Sequence, residues 1–334
     1  MRRRARLTAS SAALTATVVW TSLAQAQAQA PSPVPSPAAS EAPEKRRENL
    51  DPRRFELAGF PIVGGNSDIG IQFGGAATLT RFFDDVHPYL WNIDLLLSAS
   101  VKNDQGSLNL VQQSHVLRLD APDLFNHRMR LDARGSFERT INEGYYGIGN
   151  AAGADPRSGD TATGRLNQYV QEEARLRTIM RFHTRSAFDL AVGTNFRFES
   201  SGAYAGSKLA NDALRKNPDG TPYILGTQDE GLAGLTAGII VDTRDNEFIT
   251  TRGFYYQLGF GGTVATAEHI RYGTAGAVLA HYAPLGGPFV FASRIVADFQ
   301  FGNVPFYDLQ QGGPYEPQYL LGSETGVRGV PVGR

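Results

Sequence analysis

Four stretches of the chain carry residue types that could do chemistry. Asp84-Asp85-Val86-His87 sets two carboxylates beside an imidazole, the ingredients of acid–base hydrolysis. Gly147-Ile-Gly-Asn-Ala-Ala152 has the glycine spacing of a dinucleotide-binding turn with a closing alanine. Gly322-Ser-Glu-Thr-Gly326 brackets a serine with glycines, yet lacks the spacing of a nucleophile elbow. The fourth is Val327-Arg328-Gly329, with one central cation in a long, glycine-punctuated stretch, which suits charge-assisted hydrogen bonding to a buried acid. Six scattered histidines form no His-x-x-x-His pair, so no metal centre is expected. What each stretch can do depends on the elements that carry it.

Those elements are set by export. Arg2, Arg3, Arg4 and Arg6 precede a modestly apolar run, Leu7 to Leu23, and small-x-small cleavage sites from Ala24 to Ala30. This reads as a signal peptide over 1–30. Residues 31–54 begin Pro/Ala/Ser-rich and end charged, a disordered linker too short to fold alone. The formal net charge of −1 gives no electrostatic footprint for nucleic acid. The absence of cysteine leaves no disulfide framework to specify a fold.

From Phe55 onward the hydrophobic period is two. Ile93, Leu95 and Leu97 alternate with Asn92, Asp94 and Ser98; Phe188, Leu190, Val192, Phe196 and Phe198 alternate with Asp189, Asn195, Arg197 and Glu199. The pattern predicts strands at 54–63, 68–80, 89–101, 107–120, 127–139, 167–182, 187–200, 231–243, 253–264, 271–282 and 289–301. Many reach the length of about 9–11 residues that a tilted membrane-spanning strand needs. Aromatics gather at strand ends, as interfacial girdles do. A soluble sandwich could not bury a face bearing Arg130, Asp132, Arg134 and Glu138, then Glu173, Arg175, Arg177 and Arg181. A wet lumen could. Connections alternate between short (183–186, 244–252, 283–288) and long (140–166, 201–230, 302–334), so the short turns are expected in the periplasm and the long loops outside. On that parity Asp84 to His87 lies at the periplasmic end, the wrong side for an outer-membrane protease, and Gly147 to Ala152 lies in an external loop instead of a strand-to-helix turn.

Four stretches give this domain a family resemblance. Pro61-Ile-Val-Gly-Gly-Asn-Ser-Asp-Ile-Gly70, Tyr145-Tyr-Gly-Ile-Gly-Asn150, Asp242-Thr-Arg-Asp-Asn-Glu-Phe-Ile-Thr-Thr-Arg-Gly253 and Val327-Arg328-Gly329 resemble motifs of the bacterial surface antigen barrels of the BamA/TamA superfamily. Thr250 stands where the family has proline, and Val330 where it has an aromatic residue. The resemblance implies a sixteen-stranded barrel whose sixth external loop folds into the lumen, where Arg328 meets an acid on a later strand. It marks Asp242, Arg244, Asp245 and Gly253 as the family-like turn. It also implies work on outer-membrane protein assembly, insertion or export, with the lipid bilayer and client β-barrel or exported proteins as partners.

The expectation is therefore an all-β, antiparallel transmembrane β-barrel over 55–334, exported to the outer membrane of a Gram-negative bacterium. It is expected to be incomplete: about eleven of sixteen strands, ending in the sixth external loop, with the last stretch poorly anchored and about five strands still to follow. No cofactor and no nucleic acid are expected, and no enzyme activity. A passive channel is the competing reading, and an outer-membrane enzyme a weaker third.

Overall fold

A computed structural model of the chain describes residues 51–104, 106–149, 165–184, 188–266, 269–315 and 318–319. Eleven strands form one antiparallel sheet in strict chain order. They are β1 (Phe55–Asn66), β2 (Gly70–Arg81), β3 (Trp91–Asp104), β4 (Ser107–Leu124), β5 (Met129–Gly144), β6 (Gln168–His183), β7 (Phe188–Ala203), β8 (Glu230–Asp242), β9 (Gly253–Ala265), β10 (Arg271–Gly286) and β11 (Phe289–Gly302). A six-residue helix, α1 (Lys208–Ala213), lies between β7 and β8. A two-residue ladder joins β12 (Gln311–Gly312) to β13 (Gln318–Tyr319). Among the described residues the sheet is open, with β1 and β11 at its edges. The all-β, antiparallel barrel sheet expected from the alternation is the one observed.

Period two puts each residue class on one face. The apolar face is the uncovered one: Phe196 is 53 % exposed, Phe260 71 % and Phe299 61 %. On β7 the charged face is covered, with Arg197 at 5 % and Glu199 at 0 % exposed. A water-soluble sandwich buries the opposite way. An apolar exterior around a polar interior is the arrangement of a sheet whose outer solvent is lipid. Adjacent strands then satisfy each other's N–H and C=O groups without water.

Most strands outrun their expected ends. β4 continues from 120 to Leu124 and β5 from 139 to Gly144 because each continues through an irregularity, between Ala121 and Leu124 and between Thr140 and Glu143. An extra residue there breaks the alternation that marks a strand in sequence while leaving the pairing intact beyond it. β10 behaves likewise, carrying Pro284 next to a register shift before Gly286.

Candidate functional site

A stretch with many specific contacts follows β11. The expectation of a poorly anchored stretch after β11 fails for its first half, 303–315. Gly302, at φ +103°, reverses the chain into the concave face; a side chain there would meet the Arg271 carbonyl at 2.6 Å. The Asn303 amide donates to Arg271 O (2.9 Å) and the Phe306 amide to Leu225 O (2.9 Å). Phe306 is 2 % exposed. Its ring stands edge-on to Tyr145 (5.3 Å) and Tyr169 (5.4 Å), and Leu209 of α1 and Ile224 complete the cluster. Edge-to-face rings add specificity to the burial of a large apolar side chain.

The next two residues carry the polar anchor. The Tyr307 hydroxyl donates to Glu230. Both Arg197 terminal nitrogens donate to the Asp308 carboxylate, at 2.7 and 2.6 Å, and the Tyr272 hydroxyl donates to it at 2.6 Å. Gln300 bonds to the Asp308 and Gln311 carbonyls, both at 3.0 Å. Burial alone would raise the Asp308 carboxyl. The Arg197 guanidinium overrides burial, helped by the Tyr272 hydroxyl, and holds it below the usual carboxylate range. Removing one member of such a buried pair leaves an uncompensated charge, at a cost of about 3–5 kcal/mol.

A second anchor lies seven residues on. Gly238, Gly259 and Gly276 face the same side and are paired directly across β8, β9 and β10, with Gly193 of β7 beside them. Pro314 and Tyr315 lie in this bed. A Cβ on Gly259 would come within 2.6 Å of Pro314, and one on Gly238 within 2.7 Å of the Tyr315 hydroxyl. Tyr315 is 4 % exposed and packs with Ile179, Ala191 and Ile240. The Gly313 amide donates to Asp298 Oδ1 at 3.2 Å.

At the opposite rim, the turn between β8 and β9 is built by its acids. Arg244 forks onto Asp242 (2.9 and 2.7 Å) and lies over the Tyr255 ring. Asp245 accepts from the Thr251 hydroxyl and from the amides of Asn246, Thr251 and Arg252, and these bonds hold its carboxyl at about 2. Gly253, at φ +106°, closes the turn where a side chain would strike Thr243 O. Glu247 reaches Arg130 of β5, which also grips Asp120, and Asp120 accepts from the Tyr89 hydroxyl.

The profile of the Omp85 superfamily domain matches residues 103–330. The chain belongs to the Omp85 superfamily. Among solved structures this Omp85 chain is similar to the crystal structure of BamA from Haemophilus ducreyi lacking POTRA domains 1–3, at 17 % identity and a TM-score of 0.47. The match covers 84 % of this chain and 46 % of that one, so this chain spans less than half of that BamA chain's length. No curated protein sequence matches it.

The sequence-predicted residues of this Omp85 barrel divide in two. Asp242, Arg244, Asp245 and Gly253 come together in one turn. Val327, Arg328 and Gly329 lie outside the described residues. Of the motif at 84–87, Asp84 pairs with Arg53 at 2.5 Å. Sequence reading missed Phe306, Tyr307 and Asp308 and the wall residues Arg197, Glu230 and Tyr272. The available signal was glycine recurring at inward slots of four neighbouring strands, which leaves room for another piece of chain.

Proposed function

We propose that this Omp85 barrel assembles, inserts or exports β-rich proteins at the outer membrane, and that residues 303–315 lock its lumen. The observation that carries this reading is the returning segment, anchored through Asp308 and again through Tyr315 on the interior wall. A passive channel needs an unobstructed path. An interior segment with two built anchors obstructs one and holds the wall strands β6 to β10 in a fixed relation. Export through the signal peptide at 1–30 and a linker at 31–54, with the barrel domain from 55 onward, belongs to the same proposal. So does an orientation with the long loops outside and the 243–252 turn in the periplasm. Arg328 is then a further lock beyond the two anchors.

The test uses the protein reconstituted in lipid vesicles with a urea-unfolded outer-membrane β-barrel as client. Client folding should speed up over empty vesicles, and planar-bilayer recordings should show low conductance. A steady, high conductance with no acceleration of folding would replace this reading with a passive channel.

A further inference from the structure

The register sets four glutamates side by side across the interior wall. Glu138 of β5 is opposite Glu173 of β6, Glu173 opposite Glu199 of β7, and Glu199 opposite Glu230 of β8. Like charges directly opposite one another destabilise a sheet. The row becomes more deeply buried towards β8. Glu138 is exposed, the Glu173 side chain is 11 % exposed, and Glu199 and Glu230 are 0 % and 1 % exposed beneath the returning segment.

Cations for the row are scarce. One step deeper along the same strands stand Arg175 and Arg197, paired with each other across β6 and β7. Arg175 holds Glu173 at 2.5 Å. Arg197 reaches Glu173 only at 3.6 Å, because its fork is committed to Asp308. Arg134 and Arg177 sit a further step away, with Arg134 near Glu138 at 3.9 Å. Glu199 feels the Arg197 charge without a hydrogen bond to it; Gln171 donates to Oε1 at 2.6 Å, and Oε2 has no hydrogen-bond partner in the protein. From the returning segment Tyr307 faces Glu230 and Asp308 faces Arg197, while Tyr272 of β10 contributes only a neutral hydroxyl. In the loops above, Asp212 is taken by Tyr145 and Arg215. A carboxylate that is fully buried and lacks a directly bonded cation carries a desolvation cost that protonation removes.

We propose that Arg197 is a two-position switch: while Glu199 keeps a proton Arg197 holds Asp308, and when Glu199 ionises Arg197 turns back to the glutamate row and the segment is released. The guanidinium is matched in both positions, by Asp308 in the first and by Glu199 in the second, and Asp308 leaves with the segment as a solvated carboxylate. No bond is made or broken beyond the proton transferred from Glu199 to solvent. This rests on the reading of 303–315 as a lumen lock and names what governs it.

The experiment uses the absence of cysteine from the chain. A nitroxide is placed at Leu309→Cys, 43 % exposed and next to the anchor, and the whole chain is reconstituted in phospholipid vesicles. The mobile spectral fraction should rise as the pH is raised from neutral into the alkaline range, by at most about tenfold per pH unit for one linked proton. Glu199→Gln, a fixed neutral carboxyl mimic, should keep the label immobile throughout. A flat wild-type profile, or the same alkaline rise in Glu199→Gln, overturns the switch. Should Glu199→Gln fail to fold, infrared spectroscopy of the unmodified chain decides. A protonated-carboxyl band must vanish with release, and release without that loss overturns the proposal. Asp308→Asn separates the two readings: mobility at every pH upholds the lock, and an immobile label at every pH sinks the lock itself.

Discussion

β1 and β7 are both strands of the one sheet, yet their interior faces have different fates. On β7 the inward Arg197 and Glu199 are buried under the returning segment. On β1 every residue but Ile62 is exposed, and Phe60, paired with Ala76 on the inward side, is 65 % exposed. Alternation decides which face meets lipid. What the other face does depends on a piece of chain laid on it from more than a hundred residues away, as Arg197 and Asp308 are.

The strongest way to break this contrast is to empty the covered side. Phe306→Ala removes the centre of an aromatic cluster and should cost about 3–5 kcal/mol in a denaturant titration of the folded barrel. A change under about 1 kcal/mol would mean the cluster does not hold the segment. Crowding the glycine bed should cost less. Gly259→Val must displace Pro314, and overpacking of this kind costs about 1–3 kcal/mol, read as a lower Tm and faster proteolysis after β11. Acid sharpens the same point. The Asp308 carboxyl is depressed in the folded protein, so its contribution is present above the ordinary carboxylate value of about 3.9 and is lost as pH falls through the lower folded value. The segment should therefore loosen only below about pH 4 on the acid side, and Asp308→Asn should remove that transition. On the uncovered side, Phe60→Ala should change stability by no more than about 0.5 kcal/mol. A larger loss would show that β1's interior face is covered as well.

The difference also explains what the amino-acid order disclosed. All eleven strands were legible because lipid on one side and a polar interior on the other act on every spanning residue. Asp242, Arg244, Asp245 and Gly253 were legible because a tight turn concentrates its acids and its positive-φ glycine within a dozen residues. Asp308 was not. It lies in a Pro-Phe-Tyr-Asp stretch without periodicity, and its partners Arg197 and Tyr272 look like ordinary interior polar residues until the chain returns. Arg328 drew attention as the central cation of its stretch, whereas among the described residues the loop supplies the acid and the wall the arginine. Gly193, Gly238, Gly259 and Gly276 could have signalled the bed, but each taken singly reads as a weak strand position.

The central claim is that the interior wall and the returning segment are coupled through Arg197 and Asp308. A double-mutant cycle measures this directly: Arg197→Met, Asp308→Asn and the pair, each titrated with denaturant in lipid vesicles. The predicted coupling is about 1.5–3 kcal/mol, the range for hydrogen bonds to charged groups, with the double variant more stable than the sum of the single losses implies. Additivity within about 0.5 kcal/mol would contradict the account, since it would mean that the two residues do not hold one another.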